Sequence, residues 1–227
     1  MILPDLAPLW LSIKLGAVTT GVLLVVGTPL ALWLARSQSV LKSVVEAVTA
    51  LPLVLPPTVL GFYLLILFSP INPFGATWLQ VTGSTLAFSF TGLVIASTIY
   101  SLPFMVQPLA SAFTAVGRAP MEAAASLRAG PFDRFITVLS PLALRGYLTA
   151  MILTFAHTLG EFGVVLMIGG GIPGQTRVIS VAIYEHVEIQ QFPEAHTLSL
   201  ILIGFSFLIL FAVYSLNRKF PVSVGQG

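Results

Sequence analysis

Long tracts without a charged side chain are the feature that most constrains this sequence. The stretch from Ala47 to Gly117 contains no Asp, Glu, Lys or Arg, and residues 15–35, 146–160 and 197–217 are equally free of charge. Charged residues make up only 8% of the chain, against about a quarter in an average soluble protein. A soluble fold of 227 residues could not cover its surface with so few charges. We therefore predict an all-α polytopic membrane protein.

The lengths of these tracts predict about five transmembrane helices. About 20 helical residues, rising 1.5 Å each, cross a hydrocarbon core about 30 Å thick. We divide the longest tract at Ser69–Gly75, where turn-forming residues are dense, and treat residues 69–85 as a loop. A single transmembrane domain, residues 1–227, then contains the predicted spans 10–35, 45–68, 86–112, 142–168 and 197–217.

The placement of positive charge predicts the orientation of these spans. When alternate loops are assigned to one side, eight of the ten basic residues fall together on that side. They are Arg36, Lys42, Arg118, Arg128, Arg134, Arg145, Arg218 and Lys219. Because cytoplasmic loops carry an excess of Lys and Arg, we expect a multi-pass protein of the cytoplasmic membrane, with its N-terminus outside and its C-terminus inside.

The sequence lacks the patterns that would indicate an enzyme. It contains no cysteine, its three histidines lack metal-ligand spacing, and it has neither a P-loop nor a glycine-rich nucleotide fingerprint. A net charge of +2 is too small to indicate nucleic acid binding. We expect no catalytic residue, metal or cofactor in this chain. A membrane-embedded enzyme would need clustered ionisable residues, for which only His157 and Glu161 qualify, and an ion-coupled secondary carrier is a further alternative.

Residues 113–141 form the longest polar segment on the predicted inner side, and their chemistry predicts a short helix. Pro120 suits the first helical turn, and Glu122 lies near the positive end of the helix dipole. Ala129-Gly130-Pro131 should end the helix, with Gly130 in the left-handed conformation and the proline preventing continuation. This helix could be a simple connector or a docking helix for a partner protein, and physical reasoning alone does not separate the two.

A resemblance favours the docking helix. Glu122-Ala123-Ala124, followed by Val138 and Pro141, resembles the Glu-Ala-Ala loop of permease subunits from ABC importers. Two positions depart from the family pattern, because Arg128 replaces a glycine and Ser140 replaces a leucine, so we expect Gly130 to take over the turn. The positions to which the resemblance assigns coupling with an ATPase are Glu122, Ala123, Ala124, Leu127, Arg128, Gly130 and Pro141.

Three more segments resemble the permeases of molybdate importers in particular. They are residues 51–61 (LPLVLPPTVLG), 160–163 (GEFG) and 172–177 (IPGQTR), and the similarity covers roughly Leu30 to Tyr214. The resemblance implies a homodimer with its passage on the two-fold axis, working by alternating access. It also implies a cytoplasmic ATPase subunit dimer that uses the ATP, and an extracytoplasmic molybdate-binding protein. Sulfate, thiosulfate and tungstate permeases of the same kind remain alternatives.

Two unusual features inside the spans are candidates for a translocation path or gate. Pro56 and Pro57 should kink or unwind the second span, either as a packing feature or as a gate, and Thr58 would then be a hydroxyl able to donate to an oxyanion. Glu161 lies four residues after His157, so we expect these two side chains to form a hydrogen bond. A bare carboxylate would repel molybdate, so we favour a hinge or gate at Glu161 over substrate binding.

One further helix is expected near the outer surface. Thr176–Gln190 can form an amphipathic helix. It could lie on the bilayer as an interfacial helix, or, if the resemblance holds, form part of the surface on which the binding protein docks, with Arg177, Glu185 and Glu188 as polar contacts.

Overall fold

The structure, a computed structural model, describes the backbone of residues 5–219 and the side chains of residues 5–211. The predicted inner residues Arg218 and Lys219 therefore have side chains outside the described part. All regular elements within it are helical. They are α1 (Ala7–Arg36), α2 (Leu41–Val54), α3 (Pro57–Phe68), α4 (Pro73–Thr82), α5 (Phe90–Val116), α6 (Ala119–Ser126), α7 (Pro131–Arg134), a π-helical stretch (Phe135–Leu139), α8 (Ser140–Leu142), α9 (Leu144–Gly160), α10 (Gly163–Gly169), α11 (Ile179–Glu188) and α12 (Phe192–Lys219).

Three helices of the described chain are long and apolar enough to cross a membrane singly. These are α1, α5 and α12, and counting each of two strongly bent helix pairs as one span raises the number to five. Helices α1 and α5 occupy most of the first and third predicted spans, and α12 begins at Phe192, ahead of the fifth. The prediction of an all-helical fold with about five crossings is confirmed.

The second predicted span, residues 45–68, is a broken helix. Helices α2 and α3 meet at 109°, with Leu55 and Pro56 in extended conformations between them. Pro56 and Pro57 have no backbone N–H with which to continue the hydrogen-bond ladder of α2, and Pro57 can serve as the first residue of α3. The two prolines thus account for the position of the break, as the sequence indicates.

The fourth predicted span, residues 142–168, is also two helices. Helix α9 ends at Gly160 and α10 begins at Gly163, with Glu161 extended between them. A second bend, of 74°, separates α9 from the helical segment Pro131–Leu142 before it.

Helix α4 lies within residues 69–85, for which the sequence predicts a loop. The side chain of Asn72 caps the helix by accepting a hydrogen bond from the amide of Phe74, Pro73 is its first residue, and Gly83 ends it at a φ of 71°. These are an N-cap, an N1 proline and a C-terminal glycine. The prediction of a loop was wrong because the turn formers that it counted are also helix-end signals.

The half of the bundle nearest α6 is held by close packing of α1, α5 and α9. A buried cluster joins residues of these helices with Met121 of α6. Glycine permits the closest approach, since a Cβ on Gly146 would lie 2.2 Å from the Cβ of Ala112. Because Met121 is buried in the cluster, α6 is fixed against the ends of the membrane helices.

The turn after α6 corrects one expectation. Arg128, at the position of the family glycine, adopts the left-handed conformation itself, with a φ of 64°. Gly130 has a φ of −67° and a ψ of 164°, which any residue adopts. The geometry of the turn is therefore set at position 128, and the expectation that Gly130 would take it over was wrong.

Helix α11 lies within the predicted range Thr176–Gln190 but is anchored to the bundle. Its first amide, that of Ile179, donates to the hydroxyl of Ser12 on α1 at 2.8 Å. Ile179 and Ala182 are buried together with Leu198 of α12. The helix therefore packs its apolar side on α1 and α12.

Candidate passage site at two broken helices

The two helix breaks contact each other. A Cβ on Gly163 would lie 2.6 Å from the Cβ of Pro57, and a Cβ on Gly61 would lie 2.8 Å from the Cβ of Met167. Helices α3 and α10 therefore approach so closely that neither glycine position has room for a side chain. The first residue of α10 thus lies directly against the first residue of α3.

An open cavity of about 400 Å³ lies beside this contact. It is lined by Pro57, Thr58, Tyr100, His157, Gly160, Glu161, Phe162 and Gly163. Four of the five residues that the sequence suggested for a path or gate therefore surround one space. The fifth, Pro56, lies in the break itself and is not part of the lining.

Glu161 connects the end of α9 to the start of α10. Its carboxylate accepts hydrogen bonds from the amides of Val164 at 2.8 Å and Val165 at 3.0 Å, which are among the free N–H groups of the first turn of α10. Its own carbonyl accepts a hydrogen bond from the hydroxyl of Ser180 on α11 at 2.7 Å. Only 6% of Glu161 is exposed. Its charge is therefore turned toward backbone amides.

The expected hydrogen bond between His157 and Glu161 is not formed. Helix α9 ends at Gly160, so Glu161 no longer follows the helical geometry that would place it one turn above His157. The carboxylate turns to α10 instead, and the imidazole Nδ1 lies 3.0 Å from the hydroxyl oxygen of Ser101 on α5. The pairing prediction was wrong because it assumed an unbroken helix.

The hydrogen-bond chain at His157 determines which ring nitrogen carries a proton in the neutral imidazole. The hydroxyl of Thr158 donates to the carbonyl of Thr154 at 2.9 Å, so its oxygen can only accept from Ser101, at 3.0 Å. Ser101 has then used its one proton and can only accept from Nδ1 of His157. The neutral ring is therefore protonated at Nδ1. No described residue bonds Nε2, which in this tautomer carries a lone pair and can only accept a hydrogen bond.

Aromatic rings of α5 hold the imidazole in place. Phe104 stacks on it with ring centroids 3.9 Å apart, and Tyr100 lies 5.0 Å away. Sequence reasoning missed Tyr100, Ser101 and Phe104, because they are more than 50 positions from His157 and none of them is unusual in an apolar span. Their importance follows only from the packing of α5 against α9.

The residues that the resemblance assigns to ATPase coupling lie on and after α6. Glu122, Ala123 and Ala124 belong to α6, Leu127, Arg128 and Gly130 to the turn that follows, and Pro141 to α8. Leu127 is 84% exposed, and Phe132, which sequence reasoning did not single out, is 75% exposed. The loop thus presents two bare apolar side chains beyond the ends of the membrane helices.

In the described part of the chain, no three His, Asp or Glu side chains converge as a metal site.

Comparison with known proteins identifies the family. The profile of the binding-protein-dependent transport system inner membrane component matches residues 27–221. The chain belongs to this family. It is 57% identical over 220 residues to the molybdenum transport system permease protein ModB of Azotobacter vinelandii, covering 97% of both chains. It is 36% identical over 192 residues to the protein of the same name from Escherichia coli strain K12, covering 83% of both. The resemblance drawn from the sequence is thereby confirmed.

The fold has a counterpart among solved structures. A chain of the MetNI methionine ABC transporter, solved in inward-facing conformations, superposes with a TM-score of 0.71 at 20% sequence identity. The match covers 93% of this chain and 94% of the other. The permease fold expected from the sequence is therefore present, and the protein is a multi-pass membrane protein related to transport permeases.

The contact between the two breaks can be tested with a pair of glycine substitutions. We expect Gly163→Ala to lower the free energy of unfolding by about 1–3 kcal/mol, because the added methyl would overlap Pro57. Gly160→Ala is the matched control, since nothing lies within 4 Å of its Cβ position. Thermal unfolding of the two purified variants in one detergent provides the measurement. Equal melting temperatures for the two would contradict the close contact.

The capping role of Glu161 predicts that its charge can be removed only at a cost in stability. A glutamine at this position would offer one oxygen and turn an NH₂ group against the second backbone amide. We therefore expect Glu161→Gln to lower the free energy of unfolding by about 1–2 kcal/mol, or the melting temperature by about 2–8 °C. Glu194→Gln, at an exposed residue in the first turn of α12, is the control and should change little. A melting temperature equal to that of the parent chain would rule out the cap.

Proposed function

We propose that this chain is the membrane subunit of an ATP-driven importer of molybdate, acting as a homodimer with its passage on the two-fold axis. The observation that carries the proposal is the 57% identity, over nearly the whole chain, to a permease named for molybdenum transport. Five helices cannot easily enclose a polar path alone, which supports a second copy of the same chain. An extracytoplasmic binding protein delivers the oxyanion and supplies most of the selectivity.

ATP is bound and hydrolysed by a separate cytoplasmic subunit, a dimer that docks on α6 and the turn after it. This chain has no P-loop of its own. Met121 anchors α6 in the bundle, while Leu127 and Phe132 leave apolar surface uncovered on a segment that lies outside the bilayer. Exposed apolar side chains on a rigidly held helix and turn suit a protein partner. Movement of that partner is transmitted through α6 to the inner ends of α1 and α5.

In the proposed orientation, α6 lies in the cytoplasm and the N-terminus lies outside. It rests on the excess of Lys and Arg in the segments joined to the inner ends of the spans. On the outer side, Arg177 forms an ion pair with Glu185 at 2.6 Å, which holds the segment before α11 against that helix. The resulting rigid outer surface is suited to receiving a binding protein.

The cavity at the two breaks is the part of this chain that faces the passing oxyanion. Thr58, whose hydroxyl has no partner among the described residues, can donate a hydrogen bond to it, whereas Nε2 of His157 in the Nδ1-protonated ring can only accept one. Glu161 does not repel the anion strongly, since backbone amides bind both of its oxygens. Because helices α3 and α10 touch at their first residues, one hinge cannot open without displacing the other. This contact acts as the gate.

Reconstitution tests the function directly. Proteoliposomes containing this chain, its ATPase and its binding protein should accumulate molybdate only when ATP is supplied on the ATPase side. The control replaces ATP by a non-hydrolysable analogue, which should abolish uptake. Competition by sulfate and tungstate then ranks the oxyanions. Uptake by this chain alone without ATP would contradict an ABC importer and indicate a secondary carrier.

The docking surface can be tested by changing one exposed apolar residue. We expect Leu127→Ser to weaken retention of the ATPase on the detergent-solubilised chain by about tenfold, because it removes one anchor from the interface. Ile71→Ser is the matched control, since Ile71 is 95% exposed and lies beside α4, on the predicted outer side. Equal retention by the two variants would place the ATPase elsewhere.

A further inference from the structure

A second cavity, of about 410 Å³, lies where α1 and α5 end. Its charged lining residues are Arg36, Arg118, Arg134 and Glu122, so three guanidinium groups face a single carboxylate. The three arginines come from the end of α1, the residue before α6 and the end of α7. They are far apart in sequence and meet only through the fold.

None of these arginines forms an ion pair within the described part of the chain. Ion pairs there join Lys42 to Glu46 and Arg177 to Glu185. Arg134 donates to the carbonyl of Gly130 at 3.4 Å, which leaves most of its donors unused. Three like charges around one cavity repel one another, so an anion bound between them would stabilise the arrangement.

The lower wall of the cavity is apolar. Phe113 and Met121, 4% and 7% exposed, contribute to the lining together with Ala35. A small inorganic anion would contact the arginines without contacting this apolar part of the lining. A phospholipid would cover it with its glycerol and first methylene groups while its phosphate reaches the arginines.

The cavity lies at the ends of two helices that are long and apolar enough to cross a membrane, where lipid headgroups are expected. Its walls are the last residues of two membrane-spanning helices, α1 and α5. Trp33, 40% exposed and one turn before the end of α1, is the kind of residue that occupies a membrane–water interface. Basic pockets between membrane helices on the cytoplasmic side suit anionic headgroups.

We propose that Arg36, Arg118 and Arg134 form a binding site for the phosphate of an anionic phospholipid in the inner leaflet, beside α6. Of the residues assigned to the ATPase, Glu122 lines this cavity, whereas the exposed apolar residues Leu127 and Phe132 do not. A bound lipid would fix α6 relative to the ends of α1 and α5. The site does not depend on which oxyanion the protein transports.

Native mass spectrometry of the full-length chain in detergent tests the site, with dioleoylphosphatidylglycerol as the probe. We expect tighter binding of this lipid than of dioleoylphosphatidylcholine, and Arg118→Gln should weaken the binding by about five- to tenfold. Arg128→Gln is the matched control, because Arg128 is exposed on the same loop but does not line the cavity. It should change the affinity by less than about twofold. Equal melting temperatures without lipid verify that both variants are folded.

Four results would overturn the proposal. Equal weakening by the two variants would indicate general surface charge, and equal affinity for the two lipids would remove the anionic headgroup as the ligand. Displacement of the bound lipid by inorganic phosphate would assign the arginines to a soluble anion. Unchanged lipid binding by Arg118→Gln, with loss of the ATPase from the same variant, would assign them to the partner protein.

Discussion

The structure depends on finding hydrogen-bond partners for backbone N–H and C=O groups, because lipid offers none. Between the end of α9 and the start of α10, the carboxylate of Glu161 provides such a partner. A helix that stops within a bilayer exposes N–H and C=O groups, each costly when it is left without a partner. At this break the missing partners are side chains, since Glu161 accepts from two amides of α10 and Ser180 donates to the carbonyl of Glu161. The acid that is most expensive to insert is therefore the residue that makes the broken helix possible.

The break at Pro56 is satisfied differently, and the difference explains why the two breaks meet. Proline removes the donor that would otherwise be unpaired, so α3 starts with one fewer N–H to satisfy. The ring of Pro57 presents a smooth apolar surface, and Gly163 lies against it at a distance that excludes any side chain. The start of α10, which Glu161 caps, thus packs against the start of α3, which Pro57 forms. Neither helix can rotate about its hinge without changing the contact that holds the other in place.

Sequence reasoning predicted what depends on local chemistry and failed where the outcome depends on the fold. Charge-free tracts and the two adjacent prolines were enough to predict the fold class and the break before α3. The pair between His157 and Glu161 was wrong, because an i,i+4 spacing has meaning only in a continuous helix and Glu161 lies beyond the end of α9. The preference of glycine for the left-handed conformation led to the prediction of that conformation at Gly130. It occurs at Arg128 instead, because its position is fixed by where α6 ends. The arginine cavity and the ring stack on His157 join residues of different helices, for which one sequence holds no signal.

The separation of charge along the chain is consistent with passing an anion without retaining it. Within the described part of the chain, the cavity at the breaks offers the hydroxyl of Thr58 and a carboxylate already bound by amides, and no Lys or Arg lines it. Hydrogen bonds between neutral groups and a passing oxyanion contribute less than a guanidinium would, since charge-assisted bidentate pairs are the strong ones. Tight binding at the gate would slow release, so weak groups there suit a passage whose selectivity lies in the binding protein. The three arginines proposed to bind a lipid phosphate lie instead at the end of α1, before α6 and at the end of α7, and none of them lines the cavity at the breaks.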